Sequence, residues 1–230
     1  MDVGRSFRAL FDDANWIVKV LLGGIFTLIG MFILLTLPLV LGYQVDTIKL
    51  AARGENRVPE WDDWGGLYVR GLLALVIQLV YALPLLIIGC CQFAATSALG
   101  QGAQGNNPNA ALGPLVACFG CLSLLFGILA VVLTPAAIIR WVQRDDISAA
   151  FNLGSVIALI RDNAGNYAVA VLVGLLLDIA AALIGALLCG IGLPFTIFIA
   201  TVIIGNLYGQ VAFADRSGQT SLTPTVGPAQ

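Results

Sequence analysis

Between Arg70 and Arg140 the sequence contains no Asp, Glu, Lys or Arg, a run of 69 residues without a formal charge. A helix needs roughly 20 apolar residues to cross a bilayer. A run of this length therefore holds two crossings and the turn between them. A second expanse, Asn163 to Ala214, is broken only by Asp178. Charged residues make up 10% of the chain, against about 25% in soluble domains. The pattern predicts an all-α, polytopic membrane protein with about five transmembrane helices and amphipathic helices at the interface.

The same bookkeeping excludes several functions. There is no histidine, which removes the commonest general base, zinc ligand and haem ligand. A formal net charge of −2 scattered over separate loops leaves no footprint for nucleic acid. No nucleophile–base pair, phosphate loop or metal cluster is visible, so no catalytic residue, metal or other cofactor is assigned. No cleavable signal is visible either, because the first apolar run is too long for one. The five cysteines, Cys90, Cys91, Cys118, Cys121 and Cys189, all fall in apolar runs. Cys118 and Cys121 have C-x-x-C spacing but no charge nearby to favour a thiolate. They read as small packing residues, with a disulfide or metal pair as the alternative.

Taken in order, residues 1–15 place Val3, Phe7, Leu10 and Phe11 on one helical face, as an interfacial amphipathic helix would. A single membrane domain over 16–213 follows, with spans near 20–41, 72–99, 114–139, 167–189 and 195–213. Residues 214–230, rich in Ser, Thr, Pro and Gly, read as a disordered tail.

The water-facing piece from Gly42 to Gly71 holds nine charged residues and two of the four tryptophans. Gly54 is a natural helix stop. Trp61 and Trp64 are placed as interfacial anchors. Asp62 and Asp63 are placed to cap the next helix or to pair with Arg53, Arg57 or Arg70. Cation binding by Glu60, Asp62 and Asp63 is the alternative, without metal-loop spacing to support it. Gly100–Gly113 reads as an uncharged turn. Arg140 and Trp141 read as a snorkelling cation beside a belt aromatic. Over 142–165, Asp145 and Asp146 offer a cap for a surface helix with Ile147, Ala150, Phe151, Ile157 and Ala158 on one face.

A weak internal repeat relates the halves: Pro38, Tyr43 and Gly71 in the first, Pro135, Trp141 and Tyr167 in the second. It predicts both charged stretches on the same side of the membrane. With five spans, eight cations fall on the side of the loops and the C-terminus. Arg5, Arg8 and Lys19 fall on the other. The positive-inside rule then predicts cytoplasmic loops and C-terminus in a cell membrane, with the N-terminus outside. A re-entrant hairpin in the first apolar run is the alternative, and it would gather all eleven cations on one side.

Asp178 is the only ionisable residue in mid-span, a functional candidate by default. Asn206 and Gln210 are its candidate hydrogen-bond partners, and a proton or cation relay, or a pair with a cation on another subunit, is the competing role. Gly174, Ala182, Ala186 and Gly190 recur every four residues in register with Asp178. They predict close packing against Gly205 and Gly209 on the next span.

Gly42-Tyr43, Lys49-Leu-Ala-Ala-Arg-Gly-Glu55 and above all Pro59-Glu60-Trp61-Asp62-Asp63-Trp64-Gly65 resemble an uncharacterised prokaryotic membrane family, domain of unknown function 4013. Asp146-x-x-x-Ala-Phe151 and Tyr167 are similar to its second half. The resemblance spans roughly residues 5–213 and implies a multi-span membrane protein, without an activity or a cofactor.

The functional expectation is a non-catalytic scaffold or accessory subunit whose partners are membrane lipids and other membrane subunits, or a second copy of itself. A small transporter or channel using Asp178 is the alternative. A lipid-active enzyme, with Asp62 or Asp63 at the headgroups, is third.

Overall fold

A computed structural model describes residues 2–102, 109–188 and 190–222. The described residues are helical, with no strand. The helices are α1 (Val3–Phe11), α2 (Trp16–Phe32), α3 (Leu37–Ala52), α4 (Trp64–Gly102), α5 (Asn109–Arg144), α6 (Ser148–Phe151), α7 (Leu153–Asp162), α8 (Ala164–Leu187) and α9 (Leu193–Leu222). By length and composition five helical stretches could cross a membrane: Leu34–Ala52, Trp64–Ser97, Gly113–Arg144, Ala164–Leu187 and Leu193–Ser217. The pair α1 and α2, bent by 95°, is a possible sixth.

Two compact units share the chain, one from Met1–Val76 with Pro135–Gln230 and the other from Ile77–Thr134. In the first, α9 is the central element, and α1, α2, α3 and α8 pack against it. α9 runs parallel to α3. Phe198 lies on Tyr43 with ring centroids 5.3 Å apart. Gly205 fits over Gln44 and Thr47, and Gly209 over Ile48 and Ala51. The core closes on Leu10, Val20, Tyr43, Val58, Leu67, Phe198, Val202 and Ile203.

The first apolar run corrects the expected single span. It breaks after Phe32, turns through a short 3₁₀ segment (Leu34–Thr36) and returns as α3. Thr36 Oγ1 donates back to the Phe26 carbonyl at 3.1 Å, and Val20 joins Tyr43 in the core. The two helices are antiparallel arms of a hairpin. Its tip is apolar and open, with Phe32 84% and Leu34 77% exposed. The register of α3 on α9 places Leu37 about level with Leu193, where α9 begins. The hairpin therefore reaches the far end of the bundle.

The N-terminus consequently lies at the same end of the first unit as Gly54 and Asn56 of the charged loop. Asp2 N–H donates to Gln210 Oε1 at 2.8 Å, and Arg5 donates to the Gly54 carbonyl and to Asn56. α1 also turns a face other than the expected one inward. Ser6, Ala9 and Leu10 are buried, whereas Phe7 and Phe11 are 37% and 40% exposed.

Other boundaries shift outward. α9 continues through Asp215 and Arg216 to Leu222, into the expected disordered tail; residues 223–230 lie outside the described residues. α4 and α5 run into the expected turn from both sides, to Gly102 and from Asn109, and residues 103–108 of that turn lie outside the described residues. At 1.5 Å per residue α4, with 39 residues, is about 58 Å long, nearly twice the ~30 Å hydrocarbon thickness.

In the second unit the apolar side chains are largely open. In α5, a Cβ added at Gly113, Gly120 or Gly127 would meet nothing within 4 Å. Cys90, Cys91, Cys118 and Cys121 are free and exposed. Cys189 lies outside the described residues.

Candidate functional site

The charged residues gather at the end of the first unit where α3, α5 and α9 finish and α4 and α8 start. The local sequence explains each junction. α3 stops at Gly54, whose φ of +84° suits a residue without a Cβ. Gly54 N–H donates to Ala51 O and Glu55 N–H to Leu50 O, at 3.0 and 3.1 Å, which closes the helix end. α4 starts on Asp63, whose Oδ1 accepts the Gly66 N–H at 2.9 Å. The expected cap is thus Asp63, while Asp62 accepts the Asp63 N–H at 2.9 Å. The Gly66 amide, and next the Arg70 guanidinium 3.0 Å away, hold the Asp63 carboxyl below the usual carboxylate range. Asp146 likewise accepts the Ser148 hydroxyl and N–H at the start of α6, which pull its pKa down.

Three ion-pair clusters lie inside this end. Lys19, its side chain 3% exposed, sits 2.8 Å from Asp13 and 2.6 Å from Glu60. Burial raises the Asp13 pKa, but the Lys19 hydrogen bond and the Asn15 N–H outweigh it and leave it lowered. Arg70 bridges Asp46 at 2.7 Å and Asp63 at 3.0 Å. The third cluster replaces the snorkelling cation expected at 140. Arg140 and Trp141 are 6% and 3% exposed. Arg140 Nη1 donates to Asp215 Oδ2 at 2.9 Å and its Nε to the Ser155 carbonyl at 2.9 Å. Gln143 and Asn163 also donate to Asp215, at 3.0 and 2.7 Å.

The tryptophan loop folds inward as well. Tyr43 Oη donates to Pro59 O at 2.9 Å, and Trp61 stacks on Tyr43 at 4.6 Å and beside Trp64 at 5.5 Å. Trp64 alone of this pair is 42% exposed. Glu60 is held by Lys19, and Asp63 is engaged by Gly66 and Arg70. These carboxylates therefore point to different partners. The surface face expected over 142–165 is also rotated: Ala149, Ala150, Val156 and Leu159 are buried, whereas Phe151 and Ile157 are 41% and 55% exposed.

The intramembrane polar residues separate. Asn206 and Gln210 face α1, not Asp178: Ser6 Oγ donates to Asn206 Oδ1 and Gln210 Nε2 donates to Ser6 Oγ, both at 2.9 Å. Asp178 is exposed on the flank of α8, one turn after the buried Gly174 and within electrostatic reach of Tyr208 on α9. The small-residue row is offset by one position. Gly174, Ala181 and Gly185 face α9, while Ala182 and Ala186 are exposed beside Asp178. Gly205 and Gly209 pack on α3 instead. Gly190, with φ +78°, serves the turn into α9.

Sequence reasoning missed a shallow cleft of about 260 Å³ between the ends of α3, α5 and α9. Lys49, Arg53, Arg144, Arg216 and Asp145 line it, with Ala52, Val142 and Gln143. A second groove of about 350 Å³ shares Lys49 and Arg53 and adds Asp46, Glu60 and Asp62. The available signal was three cations, Lys49, Arg53 and Arg144, each within about a turn of a helix C-terminus, although nothing local says that these ends meet.

Long apolar helices with their charges collected at one end define a polytopic α-helical membrane protein. Its family follows from comparison: residues 24–190 match the model described as "Protein of unknown function (DUF4013)", and the chain belongs to that family. The match begins inside α2 and stops at the turn before α9. No curated protein and no solved structure gives a significant match.

Proposed function

We propose that this protein is a non-catalytic membrane subunit, a scaffold or accessory component whose exposed helix faces receive partner membrane helices. The observation that carries this reading is the flank of α8 beside α9, where Asp178, Ala182 and Ala186 are exposed in a row at spacing four that starts from the buried Gly174. A carboxylate in a mid-span position is costly against lipid alone. Small residues beside it let another backbone approach closely, and a donor on that backbone would satisfy the carboxylate. The open glycines of α5, spaced by seven at 113, 120 and 127, support a second face of the same kind. The transporter reading has less support, since Asp178 lines none of the cavities described above.

Positive-inside logic favours a cell membrane with the charged end, including α1 and the end of α9, in the cytoplasm. The test is a cysteine in place of Ala182 in a background otherwise free of cysteine, oxidised in native membranes. A disulfide-linked dimer or a cross-link to another membrane protein is expected. An unlinked chain that also purifies from mild detergent as a lone monomer contradicts the proposal. Asp178→Leu should abolish the link, and Asp178→Asn should retain it.

A further inference from the structure

The cleft between the ends of α3, α5 and α9 gathers four cations, two of which the fold leaves without a side-chain partner among the described residues. Of the eleven cations, Arg8, Lys19, Lys49, Arg57, Arg70, Arg140 and Arg161 each pair with a carboxylate. Arg5 is held by Gly54 and Asn56, and Arg216 donates to the Gln143 carbonyl at 2.9 Å. The side chains of Arg53 and Arg144 alone form no hydrogen bond or ion pair among the described residues, and both line this cleft. Four cations face one carboxylate there, a local formal charge of +3 on a chain whose net charge is −2.

Helix ends do not account for the excess. Cations do complement C-terminal carbonyls. Here, however, the end of α3 is closed by the Gly54 and Glu55 amides, and at the end of α5 the Gln143 carbonyl takes Arg216. The one carboxylate is also weakly committed. Asp145 is 84% exposed and lies 3.2 Å from Lys49, an ion pair that an incoming dianion can displace. Asp146 acts on Arg144 from beyond hydrogen-bonding distance. Guanidinium groups suit phosphate, because their N–H donors match its oxygens in pairs.

We propose that Lys49, Arg53, Arg144 and Arg216 form a binding site for an anionic phosphate group. The site opens at the end of the bundle where these helices leave the apolar region. Basic pockets at that level receive lipid headgroups, and a free phosphate presents the same oxygens.

The experiment follows thermal unfolding and affinity of the full-length protein, stripped of lipid in a neutral detergent. The probes are dioctanoyl phosphatidylglycerol, dioctanoyl phosphatidylcholine and inorganic phosphate. Phosphatidylglycerol should raise the melting temperature and phosphatidylcholine should not. Each of Arg53→Gln and Arg144→Gln should weaken binding about fivefold, and Arg161→Gln should leave it unchanged. A response to phosphatidylglycerol alone identifies a lipid headgroup, and an equal response to inorganic phosphate identifies a soluble ligand. The proposal is overturned if neither anion shifts the transition, if phosphatidylcholine matches phosphatidylglycerol, or if both arginine variants bind like the parent. Should the glutamine variants fail to fold, Arg53→Lys and Arg144→Lys keep the charge and must still lower affinity.

Discussion

Arg140 and Asp215 hold four segments together at the polar end. Asp215 takes donors from Arg140, Gln143 and Asn163, while Arg140 also reaches the Ser155 carbonyl. Both side chains are under 10% exposed. Removing one partner of such a pair strands the other charge, at a cost of about 3–5 kcal/mol. Asp215→Ala should therefore lower the melting temperature in detergent sharply, and the double replacement Arg140→Met with Asp215→Leu should restore part of it. Asp63 gives a pH-dependent counterpart. Its folded pKa is depressed, so its contribution is present above the unfolded value of about 3.9 and is lost as pH falls through the folded value. Amide exchange at the start of α4 should accelerate on acidification. Asp63→Ala should remove that pH response, whereas Asp63→Asn should still cap the helix at neutral pH. The Asp63 cap was legible because capping is local. Arg140 was not, because its partner lies 75 residues away in what reads as a polar tail.

At the scale of elements, α3 and α4 cross with their backbones almost touching. A Cβ on Gly42 would fall 1.9 Å from the Leu67 carbonyl oxygen, and one on Gly71 would fall 1.6 Å from that of Pro38. Backbone cannot rotate aside as a side chain can, so Gly42→Ala or Gly71→Ala should each destabilise by at least about 1–3 kcal/mol. Gly65→Ala, in the same helix with nothing within 4 Å, should be neutral or stabilising. Thermal unfolding of the three variants separates crowding from helix propensity. The α2–α3 hairpin was the element hardest to see. Counting from Val20 to Leu41 leaves too few residues for two arms, because Lys19 and Asp46 look like boundaries. Each is neutralised inside the fold, by Asp13 and Glu60 and by Arg70 respectively. The helical run therefore extends from Trp16 to Ala52 and holds both arms. In α8 the spacing of small residues was readable and the face was not. Rows at 174, 178, 182 and at 174, 181, 185 both run along one helix, and only the packing of α9 chooses between them.

For the molecule as a whole, the hairpin changes the threading. Two arms in place of one put α1 at the same end of the first unit as the tryptophan loop, the α6–α7 segment and the Asp215–Arg216 stretch of α9, which gathers the cations there. At the two charged stretches Gly71 meets Pro38, and Tyr167 reaches the backbone of Ala136. Single cysteines at Asp12, Asp62 and Arg161, in an otherwise cysteine-free chain in sealed membranes, probe this arrangement with an impermeant maleimide. All three should be modified from the same side. Modification of residue 12 from the side opposite to 62 and 161 would mean that the first apolar run crosses once, and the hairpin would be wrong.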